Sequence, residues 1–174
     1  MYQDEFHLTK TFNYKQMNKP KKISDSQITM TELVLPHHTN QLGNLLGGQL
    51  MHWIDICAAL SAAKHSRRVC VTASVDNIDF HHPIKLGNAV TLDACINRVF
   101  NTSMEVGVEV FTRSLKEGTN IHSNTAFLTF VAVDDDGTPV KIAEAYPESE
   151  DEKRRHEEAL ARRQYRLKNR SKGN

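Results

Sequence analysis

Apolar residues in the middle of the chain recur in two rhythms. From Leu50 onward, Trp53, Ile54, Cys57, Ala58, Ser61 and Ala62 return at the i, i+3, i+4, i+7 spacing of a helix. The opposite flank carries Met51, Ile56, Ala59, Leu60 and Ala63, so the pattern predicts a helix buried on nearly all sides. It ends in the polar run Lys64-His65-Ser66-Arg67-Arg68. Elsewhere the period is two. Residues 28–35 alternate loosely up to Pro36, and 69–80, 89–100, 103–115 and 120–133 read as further strands. Pro83, Gly87, the turn 116–119 and the run 134–137 punctuate them. In 103–115, Met104, Val106, Val108 and Val110 face one way, and Glu105, Gly107 and Glu109 the other. A hairpin-joined antiparallel sheet of this length has one apolar face to bury and one buried helix to cover it. The expected architecture is α+β, with the sheet curled around the helix.

The ends differ from this centre. Residues 1–22 lack periodicity and read as an N-terminal extension; 23–146 form the globular domain; 147–174 form a charged C-terminal helix and tail. In the last segment, Ser149-x-x-Glu152 is a capping box, with acids in the first turn and bases in the last. Its few apolar residues, Ala159, Leu160, Tyr165 and Leu167, predict an exposed helix that packs along a narrow seam.

Charge changes this picture in one respect. The 174 residues carry a net charge of +1, but 23–143 hold eight basic and twelve acidic side chains. Such a balance argues against a nucleic-acid-binding body, which should be basic on at least one face. The five bases between Arg163 and Lys172 read as a solvated helix end. No stretch approaches the ~20 apolar residues of a membrane span, and the first 22 residues hold no apolar leader core. Cys57, Cys70 and Cys95 have no C-x-x-C spacing and read as reduced thiols of a cytoplasmic protein.

Two features carry candidate chemistry. Residues 43–48 (GNLLGG) stand immediately before the helix, where free N–H groups can hold an oxyanion and glycine lets a ligand approach. A loop that needs glycine for positive φ or tight packing would look the same. Asp55 sits amid Trp53, Ile54, Ile56 and Cys57, where a carboxylate costs stability unless partnered, and is the best general-base or nucleophile candidate. Gly48 precedes Asp55 by seven residues, or roughly 10 Å along a helix. Two copies of the helix side by side would bring one Gly48 near the other Asp55, so the spacing hints at a site shared by a dimer. The pairs His37-His38 and His81-His82 each offer one ligand at most to a given site, and no metal site is expected. There is no G-x-S-x-G elbow and no phosphate-binding G-x-x-x-x-G-K-[ST] loop.

The runs LPHHTNQLGNLLGGQLMHWIDICAALSAAKH, VTASVDNIDFHHPIKLGNAV, NTSMEVGVEVFTRS and AFLTFVAVDDDGTPVKI resemble the cytosolic acyl-CoA hydrolases of the hotdog-fold thioesterase superfamily, across about residues 26–145. The charged tail is similar to that of bacterial single-domain members. The resemblance implies a sheet wrapped around one long helix, dimers assembled into hexamers as trimers of dimers, and hydrolysis of acyl-CoA to CoA and a carboxylic acid. It implies no separate cofactor, since coenzyme A belongs to the substrate. It further implies a catalytic pair, Asn44 in the G-N-x-x-G-G loop and Asp55 on the helix, from different subunits, with the thioester carbonyl against the Gly48 N–H. Asp55 as general base or as nucleophile stays open. Gly47, Thr72, Ser74, Arg98, Thr102, Ser103 and Arg68 match positions near the CoA chain and phosphates, with Arg67 and Lys64 as further phosphate candidates. Trp53, Met51 and Phe80 could line the acyl pocket. The alternatives are a non-catalytic acyl-CoA sensor, a hydratase of the same fold and a charged-tail interaction protein. The first lacks a DNA-binding head, the second its D-x-x-x-H arrangement, and the intact site argues against the third.

Overall fold

A computed structural model describes residues 19–76, 78 and 82–170. In chain order the elements are β1 (Lys21–Lys22), a 3-10 turn (Ile23–Ser26), β2 (Ile28–Leu33), a 3-10 turn (Pro36–His38), α1 (Gly47–Ser66), β3 (Val69–Val75), β4 (Ala89–Val99), β5 (Ser103–Arg113), β6 (Asn120–Val133), β7 (Ala145–Tyr146) and α2 (Glu150–Arg170). Five strands form one antiparallel sheet in the order β2-β4-β5-β6-β3, and α1 contacts all five. The curled sheet around one helix is the architecture that the two rhythms predict.

The core is the meeting of the two periods. Leu50, Trp53, Ile54, Cys57, Ala58 and Ala62 of α1 are buried against Leu92, Ile96, Met104, Val106, Leu128 and Phe130 of the sheet. At roughly 1.5–3 kcal/mol for each large side chain buried, this contact dominates the fold's stability.

Three expectations are modified. The strand expected over 69–80 ends at Val75; Asn77, Asp79 and Phe80 lie outside the described residues. The second flank of α1 is not buried within one chain. Ile56 and Leu60 are 37% and 49% exposed, next to the edge strand β3, whose Val69, Val71 and Val75 are 64%, 47% and 39% exposed. The sheet covers one side of the helix only, because β3 is its last strand. Residues 21 and 22 of the expected extension pair in parallel with Ala145 and Tyr146.

The C-terminal helix begins with the capping box as read: Ser149 Oγ accepts from the Glu152 N–H (3.2 Å), and the Ser149 N–H donates to Glu152 Oε2 (3.0 Å). Its outward side is exposed. Its seam, however, is mostly ionic. Ala159 is fully buried, and beside it Arg162 and Arg166 reach Glu105 of β5, which has no exposed surface. Strand alternation assigns Glu105 to the sheet's outer face, and α2 then covers that face.

Candidate active site

The approach to α1 is fastened from both sides. The Asn40 side-chain oxygen accepts from the N–H groups of Leu42 (2.9 Å) and Asn44 (3.2 Å), an Asx-turn that shapes the loop. Gly43 adopts φ 71°, the left-handed region that favours glycine. The Leu45 N–H donates to Ile84 and the Leu86 N–H to Gly43, which ties the loop to 84–86. Asn44 is half-buried and bridges to Lys85.

The helix then starts at Gly47, with Leu46 as a cap that supplies no side-chain acceptor. Its first N–H groups have no intrahelical partner, as at any helix start, and carry the positive end of the dipole. Gly48 is exposed, and a Cβ built there would meet nothing within 4 Å. Neither positive φ nor tight packing within the chain calls for a glycine here.

Two turns on, Asp55 stands half-buried at the open flank of α1. Its Oδ1 accepts from the Thr72 hydroxyl of β3 at 2.8 Å. Asp55 lines a cleft of about 700 Å³ with Ile56, Leu60, Arg67, Arg68 and Cys70. The two arginines arrive there because Arg67, at φ 54°, ends the helix in the left-handed conformation and turns the chain into β3. Asp55, a second carboxylate (Asp135) and two arginines thus line one largely apolar cleft, and the Thr72 hydroxyl holds Asp55 in place.

The remaining sequence candidates separate. Ser74 and Ser103 line a second cavity, of about 1000 Å³, between the outer face of the sheet and α2, with Phe127, Arg163 and Tyr165. Arg98 donates to the His156 carbonyl of α2 at 3.1 Å, and Lys64 to the Gln27 carbonyl at 2.9 Å. The Thr102 carbonyl accepts from the Ala132 N–H. Trp53 is core, edge-on to His38 with centroids 5.0 Å apart, and Met51 is half-buried. Burial pushes the Cys57 thiol up to about 11 and the Cys70 thiol upward, so neither is a ready thiolate. Among the described residues no group of three or more His, Cys, Asp or Glu could hold a metal ion, and no helix is long and apolar enough to cross a membrane.

Residues 42–119 match the family model described as "Thioesterase superfamily". The chain is 42% identical over 138 residues to the uncharacterized acyl-CoA thioester hydrolase YkhA of Bacillus subtilis (strain 168), covering 79% of this chain and 80% of that protein. It is 44% identical over 142 residues to acyl-coenzyme A thioesterase 11 of Mus musculus, covering 82% of this chain but about a quarter (24%) of that longer protein. An apo-hexameric acyl-CoA thioesterase structure superposes with a TM-score of 0.84 at 39% identity, covering 87% of this chain and 97% of that one. An acyl-CoA hydrolase from Staphylococcus aureus, solved in complex with butyryl coenzyme A, coenzyme A and coenzyme A disulfide, superposes at 0.82 and 35% identity, covering 88% and 93%. That hydrolase is also solved as three alanine variants, of an asparagine, of an aspartate fifteen residues later and of a threonine seventeen residues after that. With a relative at 42% identity matched over four-fifths of its length, the chain belongs to the acyl-CoA thioester hydrolases of the thioesterase superfamily.

Proposed function

We propose that the protein hydrolyses acyl-CoA thioesters to free coenzyme A and a carboxylic acid, at a site completed by a second copy of the chain. The observation that carries this reading is the Asp55–Thr72 hydrogen bond in a cleft that also holds Arg67 and Arg68. The names of the relatives support the substrate class. The substituted positions of the Staphylococcus aureus hydrolase support the residues: their spacing recurs here as Asn40, Asp55 and Thr72, fifteen and seventeen residues apart.

The mechanism follows from the chemistry of these groups. The thioester carbonyl lies against the N–H groups at the start of α1, at Gly48, where developing oxyanion charge is stabilised. Asp55 either takes a proton from the attacking water or attacks the carbonyl itself. In the second case the C–S bond breaks, CoA leaves as thiol after protonation, and water hydrolyses the acyl–carboxylate anhydride. Thr72 orients the carboxylate in either route. The loop asparagine orients the carbonyl or water. The spacing favours Asn40, whose side-chain oxygen is engaged in the loop and whose amide N–H groups point elsewhere by covalent geometry; Asn44 is the second candidate. Arg67 and Arg68 suit the phosphates of CoA. No metal or further cofactor takes part.

The roughly 10 Å between Gly48 and Asp55 on one helix supports a site whose two ends come from different copies. The exposed flank of Ile56, Leu60, Val69, Val71 and Val75 suits such a partner. A trimer of dimers in the cytoplasm is the proposed form, in keeping with the hexameric thioesterases similar to this chain. The test is free-thiol release from a panel of acyl-CoAs. Turnover that disappears in Asp55→Asn supports the reading, whereas tight binding without turnover assigns the chain as a sensor.

A further inference from the structure

We propose that Asp76 and Arg166 are positioning residues for this reaction: α2 clamps the far end of β3 and so holds Thr72 against Asp55. The inference rests on the thioesterase reading for its kinetic consequence, but the clamp is visible in the geometry alone.

Strand β3 is an edge strand of the sheet. It pairs with β6 only, and its other edge is open within the chain. Its register against β6 shifts between Thr72 and Ser74, so a bulge lies immediately beside the residue that holds Asp55. A bulge re-aims the neighbouring side chain and leaves the local ladder incomplete. Within the chain, whatever fixes the strand beyond the bulge therefore helps to set the direction of the Thr72 hydroxyl, beside its pairing with Phe130.

That fixation comes from α2. Asp76 directly follows β3, and its N–H continues the pairing by donating to the Phe127 carbonyl at 3.0 Å. Its carboxylate receives Arg166 Nη1 at 2.6 Å. The other terminal nitrogen of the same guanidinium, Nη2, donates to Glu105 Oε2 of β5 at 3.0 Å. One planar fork thus joins the end of the edge strand to the middle of the sheet. The anchor is rigid. Glu105 is fully buried, also receives Arg162 at 2.7 Å, and is held by the Asn97 amide at 3.2 Å. Arg162 in turn stacks over the Phe127 ring at 3.7 Å, beside the Asp76 pairing partner. Charge-assisted, forked guanidinium–carboxylate contacts are the strongest and most directional of protein hydrogen bonds. Their place here, four residues from Thr72 and across the bulge, gives them leverage on the site without touching substrate.

The experiment uses the full chain and two variants that leave buried Glu105 paired. Asp76→Asn removes the charge from the strand end only. Arg166→Lys keeps a cation for Glu105 but cannot fork between two carboxylates, and it serves if Asp76→Asn does not fold. Each should lower kcat about five- to twentyfold with KM for the acyl-CoA within twofold. In a Thr72→Ala background the same substitution should change kcat less than twofold, because an effect that acts through Thr72 has already been lost. Amide exchange should accelerate at least tenfold in β3 and stay unchanged in β4. Unchanged kcat in the single variants, or losses that multiply in the double variant, would overturn the positioning role. If the wild-type protein hydrolyses no acyl-CoA, the thioesterase reading fails by itself. Amide exchange then decides the clamp: loss of protection confined to β3 upholds it, and no loss or a uniform one overturns it.

Discussion

The Thr72 hydroxyl donates to Asp55 Oδ1 across 2.8 Å and so ties the edge strand β3 to the open flank of α1. The bond restricts the carboxylate to one orientation and leaves Oδ2 for water or for an acyl carbon. Asp55→Asn is nearly isosteric and still accepts from Thr72 at its carbonyl. It should lower kcat by more than tenfold, a loss above ~1.4 kcal/mol, with CoA binding and melting temperature little changed. Thr72→Val should cost less, about three- to thirtyfold in kcat. Steady-state thiol release against a calorimetric CoA titration distinguishes these effects, and an active Asp55→Asn enzyme would refute the assignment.

The two loop asparagines can be told apart. Asn40→Asp keeps the side-chain acceptor that the N–H groups of Leu42 and Asn44 use, while replacing the amide donor with a second oxygen. It should therefore preserve folding and lose at least tenfold in kcat. Asn44→Ala should keep kcat within about threefold if Asn40 is the orienting residue. The reverse ranking in parallel kinetic assays would move the role to Asn44.

Complementation tests the shared site. Asn40→Ala and Asp55→Ala chains are mixed in equal amounts and refolded together. With random pairing half the dimers are mixed, and each mixed dimer has one intact site if the two residues come from different copies. Activity should return to about a quarter of wild type. No recovery, with the heterodimer confirmed by native mass spectrometry, would place both residues in one chain. Leu60→Glu, on the exposed apolar flank, should abolish association and activity together.

Gly107 reports on the anchor beneath α2. A Cβ built there would lie 2.8 Å from Asn97 Nδ2, whose amide holds Glu105. Gly107→Ala should destabilise the protein by about 1–3 kcal/mol through that displacement. Glu105→Ala should cost about 3–5 kcal/mol, because it removes the buried carboxylate that Arg162 and one arm of Arg166 share. Urea denaturation measures both, and wild-type stability in Gly107→Ala would show that the network yields freely.

His65 gives the fold an acid-side limit. The ring is buried; Nε2 donates to the Ala143 carbonyl at 2.8 Å, and Nδ1 has no hydrogen-bond partner among the described residues. Burial chiefly holds its pKa below the ordinary 6.5; Lys21 lowers it further, while the Ala143 hydrogen bond and Asp25 oppose the shift. His156 on α2 is shifted the same way, by burial and then by Arg98. In the unfolded chain these rings take up protons as pH falls through 6.5, whereas in the folded chain they do so only at lower pH. The contribution of these two rings to folding stability is therefore full above 6.5 and declines as pH falls below it. His65→Gln, which can still donate to Ala143, should flatten the decline of melting temperature between about pH 7 and pH 5. An undiminished decline would exclude His65 as a source.

Local interactions were legible in the amino-acid order, and long-range ones were not. The helical and alternating rhythms reflect side-chain direction within one element, so α1, β4, β5 and β6 could be read to within a few residues. The Ser149–Glu152 capping box spans three residues and formed as read. Asp55 stood out because a carboxylate in an apolar stretch needs a reason wherever the helix lies. Thr72 could be named only by resemblance, because its pairing with Asp55 arises from the packing of β3 beside α1. Asn40 lies outside the G-N-x-x-G-G loop, and its spacing to Asp55 gained meaning only beside a related hydrolase. Tertiary packing alone decided the rest. Which flank of α1 is covered depends on where the sheet ends, since both flanks are apolar. Glu105, by alternation an outward polar residue, became the buried anchor of α2 because the helix that covers it is distant in sequence and brings its own arginines. Periodicity records which face of an element a residue is on; only the folded chain determines what lies against that face.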